Sequence, residues 1–119
     1  MAQPPNRYNC PLDATMSIIE GRWKCTIICI LAKNGPLRFA ELQKRIGPIT
    51  SRILSKQLKE LEEDQMVSRE EDSEGRVKVT YSLAPRGRSI LPVLSHMAAW
   101  GLENRFTQVI TEDDVVSRR

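Results

Sequence analysis

Aromatic residues are scarce in this sequence: two Trp, two Tyr and two Phe make up 5% of 119 residues. A surface that holds single-stranded nucleic acid by base stacking needs more rings, so that class is disfavoured. His96 is the only histidine, and the three cysteines fall at uneven spacing. Cys25 and Cys29 stand one helical turn apart, but no second pair of donors completes a four-ligand zinc site, so core packing is the expected role and no metal or cofactor is expected. The longest apolar stretch, Thr26 to Ala32, falls far short of the roughly 20 residues of a bilayer span, which excludes a transmembrane helix. The opening Met1-Ala2-Gln3-Pro4-Pro5-Asn6 lacks the basic-then-apolar order of a secretory leader, so a cytoplasmic location with reduced thiols is expected. No nucleotide-binding glycine loop, paired-histidine metal motif or nucleophile elbow occurs, and no catalytic activity is expected.

What is present fits one domain with its own core: 40% apolar and 28% charged residues, without repeats or low-complexity tracts. Residues 1–9 read as a flexible start, 10–103 as the folded domain and 104–119 as a polar tail. The net charge of +3 is less informative than its layout. Residues 36–60 carry six basic side chains against two acids, residues 61–74 carry seven acids against one base, and residues 75–88 carry four bases and no acid. Two basic segments around an acidic one suit a molecule that offers one face to a polyanion and another to water.

Periodicity orders the chain as follows. Asp13 to Ile19 and Arg22 to Ala32 read as helices, the second ending at Asn34-Gly35-Pro36. Phe39, Leu42 and Ile46 mark one face of a third helix, stopped by Gly47-Pro48. Thr50 or Ser51 caps a fourth, in which Leu54, Leu58 and Leu61 form the buried face and Ser51, Arg52, Ser55, Lys56 and Lys59 the outer one. The period then changes to two: Val77, Val79, Tyr81 and Leu83 mark a half-buried strand, paired with Met66 to Glu70 through a turn at Asp72 to Gly75. Pro85-Arg86-Gly87 opens a last helix, with Leu91, Leu94, Met97, Ala98 and Gly101 on one face and Pro92 near its first turns or at a kink.

Two short helices joined by a tight turn, then a hairpin with basic residues near its tip, make a winged helix-turn-helix: mainly α, with a small β-hairpin. A helix fits the major groove, and residues near its N-terminus reach base edges. Thr50, Ser51, Arg52, Ser55 and Lys56 hold that position; the planar fork of Arg52 suits a guanine edge, while Lys56 and Lys59 suit phosphates. Arg38, Arg76 and Lys78 complete the candidate set, the last two as backbone contacts of the wing with a minor-groove option. The competing readings are that these charges only solvate exposed faces, or that the module binds an acidic protein rather than DNA.

The blocks Cys10-Pro11-Leu12, Gly21-Arg22-Trp23-Lys24, Gly35 to Leu42, Leu54 to Glu62, Tyr81-Ser82-Leu83 and Leu91-Pro92-Val93-Leu94 resemble the HxlR-type regulators, a bacterial winged-helix group related to the MarR repressors. The resemblance runs from Cys10 to about Gly101. It implies a double-stranded DNA-binding transcription regulator, with repression the expected sign, acting as a homodimer on an inverted-repeat operator. The first and last helices would pack across the two-fold axis through Leu12, Leu91, Leu94, Met97 and Trp100, for which an intrachain core is the alternative. It also implies that Cys10 senses oxidants or small electrophiles; Arg7, Arg22 or Lys24 would favour its thiolate if they fold close to it, and the alternative is a small buried side chain. Three departures carry expectations: Gln65 replaces a usual Gly, so no left-handed helix end is expected there; Ala84 replaces a capping Thr; and Asp72 to Lys78 lacks the common Pro-Pro of the wing.

Overall fold

The computed structural model of the chain describes residues 8–72 and 78–105. Most of the expected flexible start and polar tail, the hairpin tip, Arg76 and Val77 lie outside the described residues. Among the described residues, six helices and three strands follow in the order α1 (Pro11–Ile19), α2 (Lys24–Asn34), β1 (Leu37–Arg38), α3 (Phe39–Ile46), α4 (Ser51–Glu63), β2 (Val67–Asp72), β3 (Lys78–Leu83), α5 (Pro85–Ser89) and α6 (Leu91–Asn104). The winged helix-turn-helix architecture is therefore present.

The core forms around α2. Ile27, Ile28, Ile30 and Leu31 of that helix are at most 1% exposed, so it is enclosed on more than one side. Leu42 and Ile46 of α3 and Leu54, Leu58 and Leu61 of α4 belong to the same buried cluster, as do Ile19, Met66 and Leu83. Fully burying a side chain of this size stabilises the fold by about 1.5–3 kcal/mol, so the amphipathic faces of α3 and α4 are fixed inward by a set of such contacts.

The strands form one antiparallel sheet in the order β1-β3-β2. Register follows burial: Leu37 pairs with Tyr81 and Val67 with Leu83, which sets apolar side chains opposite one another at the base of the wing. β1 is a two-residue strand that no alternation in the sequence announces; it exists because β3 offers a free edge to the chain leaving α2.

Two further differences from the sequence reading have clear causes. The last helix is two helices, parted at Ile90, because Pro92 has no N–H to give the Arg88 carbonyl; the helix resumes with Leu94 N–H donating to Ile90 at 3.0 Å. The left-handed residue expected to be missing is present at Gln65, with φ of 64°. Its N–H donates to the Glu62 carbonyl at 3.0 Å and that of Met66 to Leu61 at 2.9 Å, the paired bonds of a Schellman helix end. Met66 and Leu61 are both buried, so the apolar contact that accompanies this motif keeps the backbone there despite the side chain. Further on, a Cβ at Gly87 would overlap the Met66 carbonyl oxygen, so α5 approaches this turn as closely as it does only because position 87 is glycine.

Gln65→Gly is expected to raise stability by about 0.5–1 kcal/mol, the left-handed strain relieved less the extra chain entropy of glycine. Urea unfolding checks this, and an unchanged or lower midpoint contradicts it.

Candidate nucleic-acid interface

The turn between α3 and α4 is built by local polar bonds. Gly47 ends α3 with φ of 95°, a conformation open to glycine, and its carbonyl accepts the Ile49 N–H at 2.8 Å. Ile49 is then turned into the core. Of the two capping candidates, Thr50 performs the role: its Oγ1 accepts the Ile53 N–H at 3.1 Å. Ser51 is held differently, its Oγ accepting from Gln43 Nε2 at 3.1 Å, while the same amide donates to the Ile49 carbonyl at 3.2 Å. Gln43 thus ties α3 to the start of α4. Sequence reasoning passed over it because a glutamine in a charged helix carries no distinctive signal.

With Leu54, Leu58 and Leu61 buried, Ser51, Arg52, Ser55, Lys56 and Lys59 all lie on the exposed side of α4 beside Thr50. The structure brings these six together on one helix and its cap. Arg38 is exposed at the start of α3, where its N–H donates to Glu41 Oε1 at 2.9 Å. Lys78 is exposed on the wing and stands directly across from Asp72, so an acid accompanies it. Arg76 lies outside the described residues.

A buried charge lies behind this face. Lys24, at the start of α2, is 5% exposed, and its Nζ meets Glu60 Oε1 at 2.9 Å. The second oxygen of Glu60 meets Lys56 Nζ at 3.5 Å, one helical turn back along α4. The Lys24 hydrogen bond holds the Glu60 carboxyl below the ordinary glutamate range, with the charge of Lys56 adding to it. Of the three cations named as possible neighbours of Cys10, Lys24 is paired with Glu60 and Arg22 lies over the Trp23 ring at 5.1 Å. Arg7 lies outside the described residues.

Cys10 is exposed at the N-cap of α1, so the buried alternative does not apply to it. Cys25 and Cys29 pack against the core, and burial pushes the Cys25 thiol up. The apolar residues assigned to a subunit interface divide. Leu94 is 8% exposed within its own chain's core and Leu91 is half-buried against it, whereas Leu12, Met97 and Trp100 are 65%, 44% and 66% exposed. Val93 and Leu102 extend the uncovered apolar surface of α6, a feature the periodicity did not single out. No helix among the described residues is long and apolar enough to cross a membrane.

A family model described as HxlR-like helix-turn-helix matches residues 18–109. An uncharacterized HTH-type transcriptional regulator of Halalkalibacterium halodurans is 44% identical over 100 residues, 84% of this chain and 88% of that protein. Among solved structures, the redox regulator HypR in its reduced form superposes with a TM-score of 0.74 at 38% identity, covering 81% of this chain and 94% of the other. The reduced transcriptional regulator YodB of Bacillus subtilis gives 0.76 at 33% identity, covering 86% and 100%. YodB has also been solved bound to quinone.

The Glu60 pair makes stability depend on pH. The folded pKa lies below the unfolded value of about 4.3, so the contribution is full above that value and is lost as pH falls through the folded one. Glu60→Gln is expected to cost about 1–2 kcal/mol near neutrality, since a buried ammonium loses its counter-charge while one side of the pair stays open to solvent. Urea titrations at several pH values should show the gap to wild type closing below about pH 4; a gap that does not depend on pH refutes the pairing.

Proposed function

The chain belongs to the HxlR-like helix-turn-helix family of transcriptional regulators, and from that premise we propose that it binds double-stranded DNA sequence-specifically as a homodimer, with repression as its regulatory action. One observation carries this reading: α4 buries its leucines on α2 and leaves Ser51, Arg52, Ser55, Lys56 and Lys59 open on the other side. A helix so presented enters the major groove with its first turn nearest the bases. Arg52, in that turn, reads a base edge; Lys56, Lys59 and Arg38 meet phosphates, and Lys78 and Arg76 are assigned to the backbone beside the wing.

The homodimer rests on the uncovered apolar side chains of α1 and α6. Leu12, Met97 and Trp100 are too exposed and too large to be left to water without a reason, and covering a ring of tryptophan size is worth about 2–3 kcal/mol. An isologous contact through these helices repeats the reading helix by a two-fold operation, which matches an inverted-repeat operator with half-sites about one DNA turn apart.

Cys10 meets the access requirement of a sensing thiol, at the start of the helix assigned to the subunit contact. Alkylation or oxidation there adds bulk or a bond beside that contact and changes the spacing of the two reading helices. The redox regulator and the quinone-bound protein among the similar structures support this assignment.

Selection of bound sites from random duplexes tests the DNA reading; recovery of no motif, with no salt-dependent binding, favours a module that binds protein instead. Arg52→Ala is expected to weaken binding to the selected site by about 1–3 kcal/mol, and an equal loss on random duplex contradicts a base-reading role. For Cys10, the wild-type chain is expected to change its DNA affinity on treatment with diamide or benzoquinone and Cys10→Ser to show no change. A full response in that variant assigns sensing elsewhere.

A further inference from the structure

We propose that Glu60 restrains the phosphate affinity of the reading helix, through a carboxylate that bridges the buried Lys24 and the exposed Lys56. The inference rests on the DNA reading above and adds to it a residue that tunes binding without being a DNA contact itself.

Two distances define the arrangement. Glu60 Oε1 lies 2.9 Å from Lys24 Nζ, and Oε2 lies 3.5 Å from Lys56 Nζ. The two contacts are unequal in strength. The Lys24 side chain is 7% exposed, so its ammonium has little water to turn to and holds the carboxylate in place. The Lys56 side chain is 68% exposed, and its contact with Glu60 is a surface pair of adjacent helical turns, which gains little and is readily exchanged. Glu60 is thus fixed from behind and offers its second oxygen forward, to a lysine assigned to phosphate.

Near a duplex that oxygen and a phosphate compete for the same ammonium. Lys56 must leave Glu60 to neutralise a phosphate fully, or stay and contribute less than a whole charge. The carboxylate also repels the polyanion on its own account. Its anchor keeps it from swinging away, because leaving Lys24 would strip an enclosed ammonium of its counter-charge. An untethered glutamate would simply rotate toward solvent. The anchored one keeps the basic face weaker than its count of lysines and arginines implies, on specific and non-specific duplex alike.

The experiment measures the salt dependence of binding to a mixed-sequence duplex longer than two helical turns, for wild type, Glu60→Gln, Lys56→Gln and the double variant. Glu60→Gln keeps an acceptor for Lys24, and Lys24→Met/Glu60→Gln removes the buried ammonium altogether, so a folded chain without the carboxylate is available for the comparison. Both are expected to bind about two- to fivefold more tightly than wild type, with a slope of log affinity on log salt steeper by about one. In the Lys56→Gln background most of that gain should vanish, since the effect passes through Lys56. An unchanged or shallower slope in both folded variants overturns the proposal, as does a gain that persists undiminished without Lys56. A wild-type chain with no salt-dependent binding overturns the DNA reading itself, and this proposal with it; the wild-type and variant arms therefore report the two failures separately.

Discussion

Burial of three leucines of α4 against the isoleucines of α2 governs the rest of the molecule. Leu54, Leu58 and Leu61 are at most 1% exposed, and with them fixed inward the helix has a single rotation about its axis. Everything polar on its far side is aimed by that constraint: a residue one position out of step would carry its charge into the core. The turn before α4 refines the placement, with Ile49 inserted as a further apolar peg and Gln43 tying the start of the helix to α3. The exposed basic face of α4 is a by-product of packing, and its orientation is set by the core.

The same constraint explains the buried lysine. The first turn of α2 lies against α4, and an ammonium enclosed there requires a carboxylate from the facing helix. Glu60 supplies it from the edge of the basic face, so the demand of the core reaches the outer surface of α4. Charge on that surface is consequently not free to vary as it would be on a solvated helix. Across the sheet, Lys78 is set opposite Asp72 and Arg69 meets Glu71 at 3.0 Å, while Glu70 stands opposite the uncharged Thr80, so the described strands of the wing carry one acid more than they carry bases.

Much of this was legible in the residues. Leucines at helical spacing from Leu54, and alternation from Val79 to Leu83, fix element types because period and burial are the same physical fact. The helix stop at Gly35-Pro36 and the cap at Thr50 follow from local chemistry. What escaped depends on distance in sequence or on absence. β1 is too short to have a period and owes its existence to the edge of β3. The Lys24 to Glu60 pair joins positions on separate helices, and nothing in either segment marks the partner. Gln65 misled in the opposite direction: a poor residue for a left-handed position predicts its absence, yet the burial of Met66 and Leu61 on either side outweighs about 1–2 kcal/mol of local strain. Leu94 shows the limit of a face assignment, since α6 turns one apolar side chain into its own chain and leaves Met97 and Trp100 outside.

Met66 joins three parts of the molecule at one backbone position. Its N–H closes the end of α4, its carbonyl accepts the Ala84 N–H at 3.0 Å, and Gly87 is pressed against that same carbonyl. One peptide unit on either side of this residue therefore belongs at once to the tail of α4, the root of the wing and the helix that leads into α6. A tilt imposed on α6 is either absorbed in the break at Ile90 or passed on, through this carbonyl and through Leu94 in the core, to α4 and the wing together.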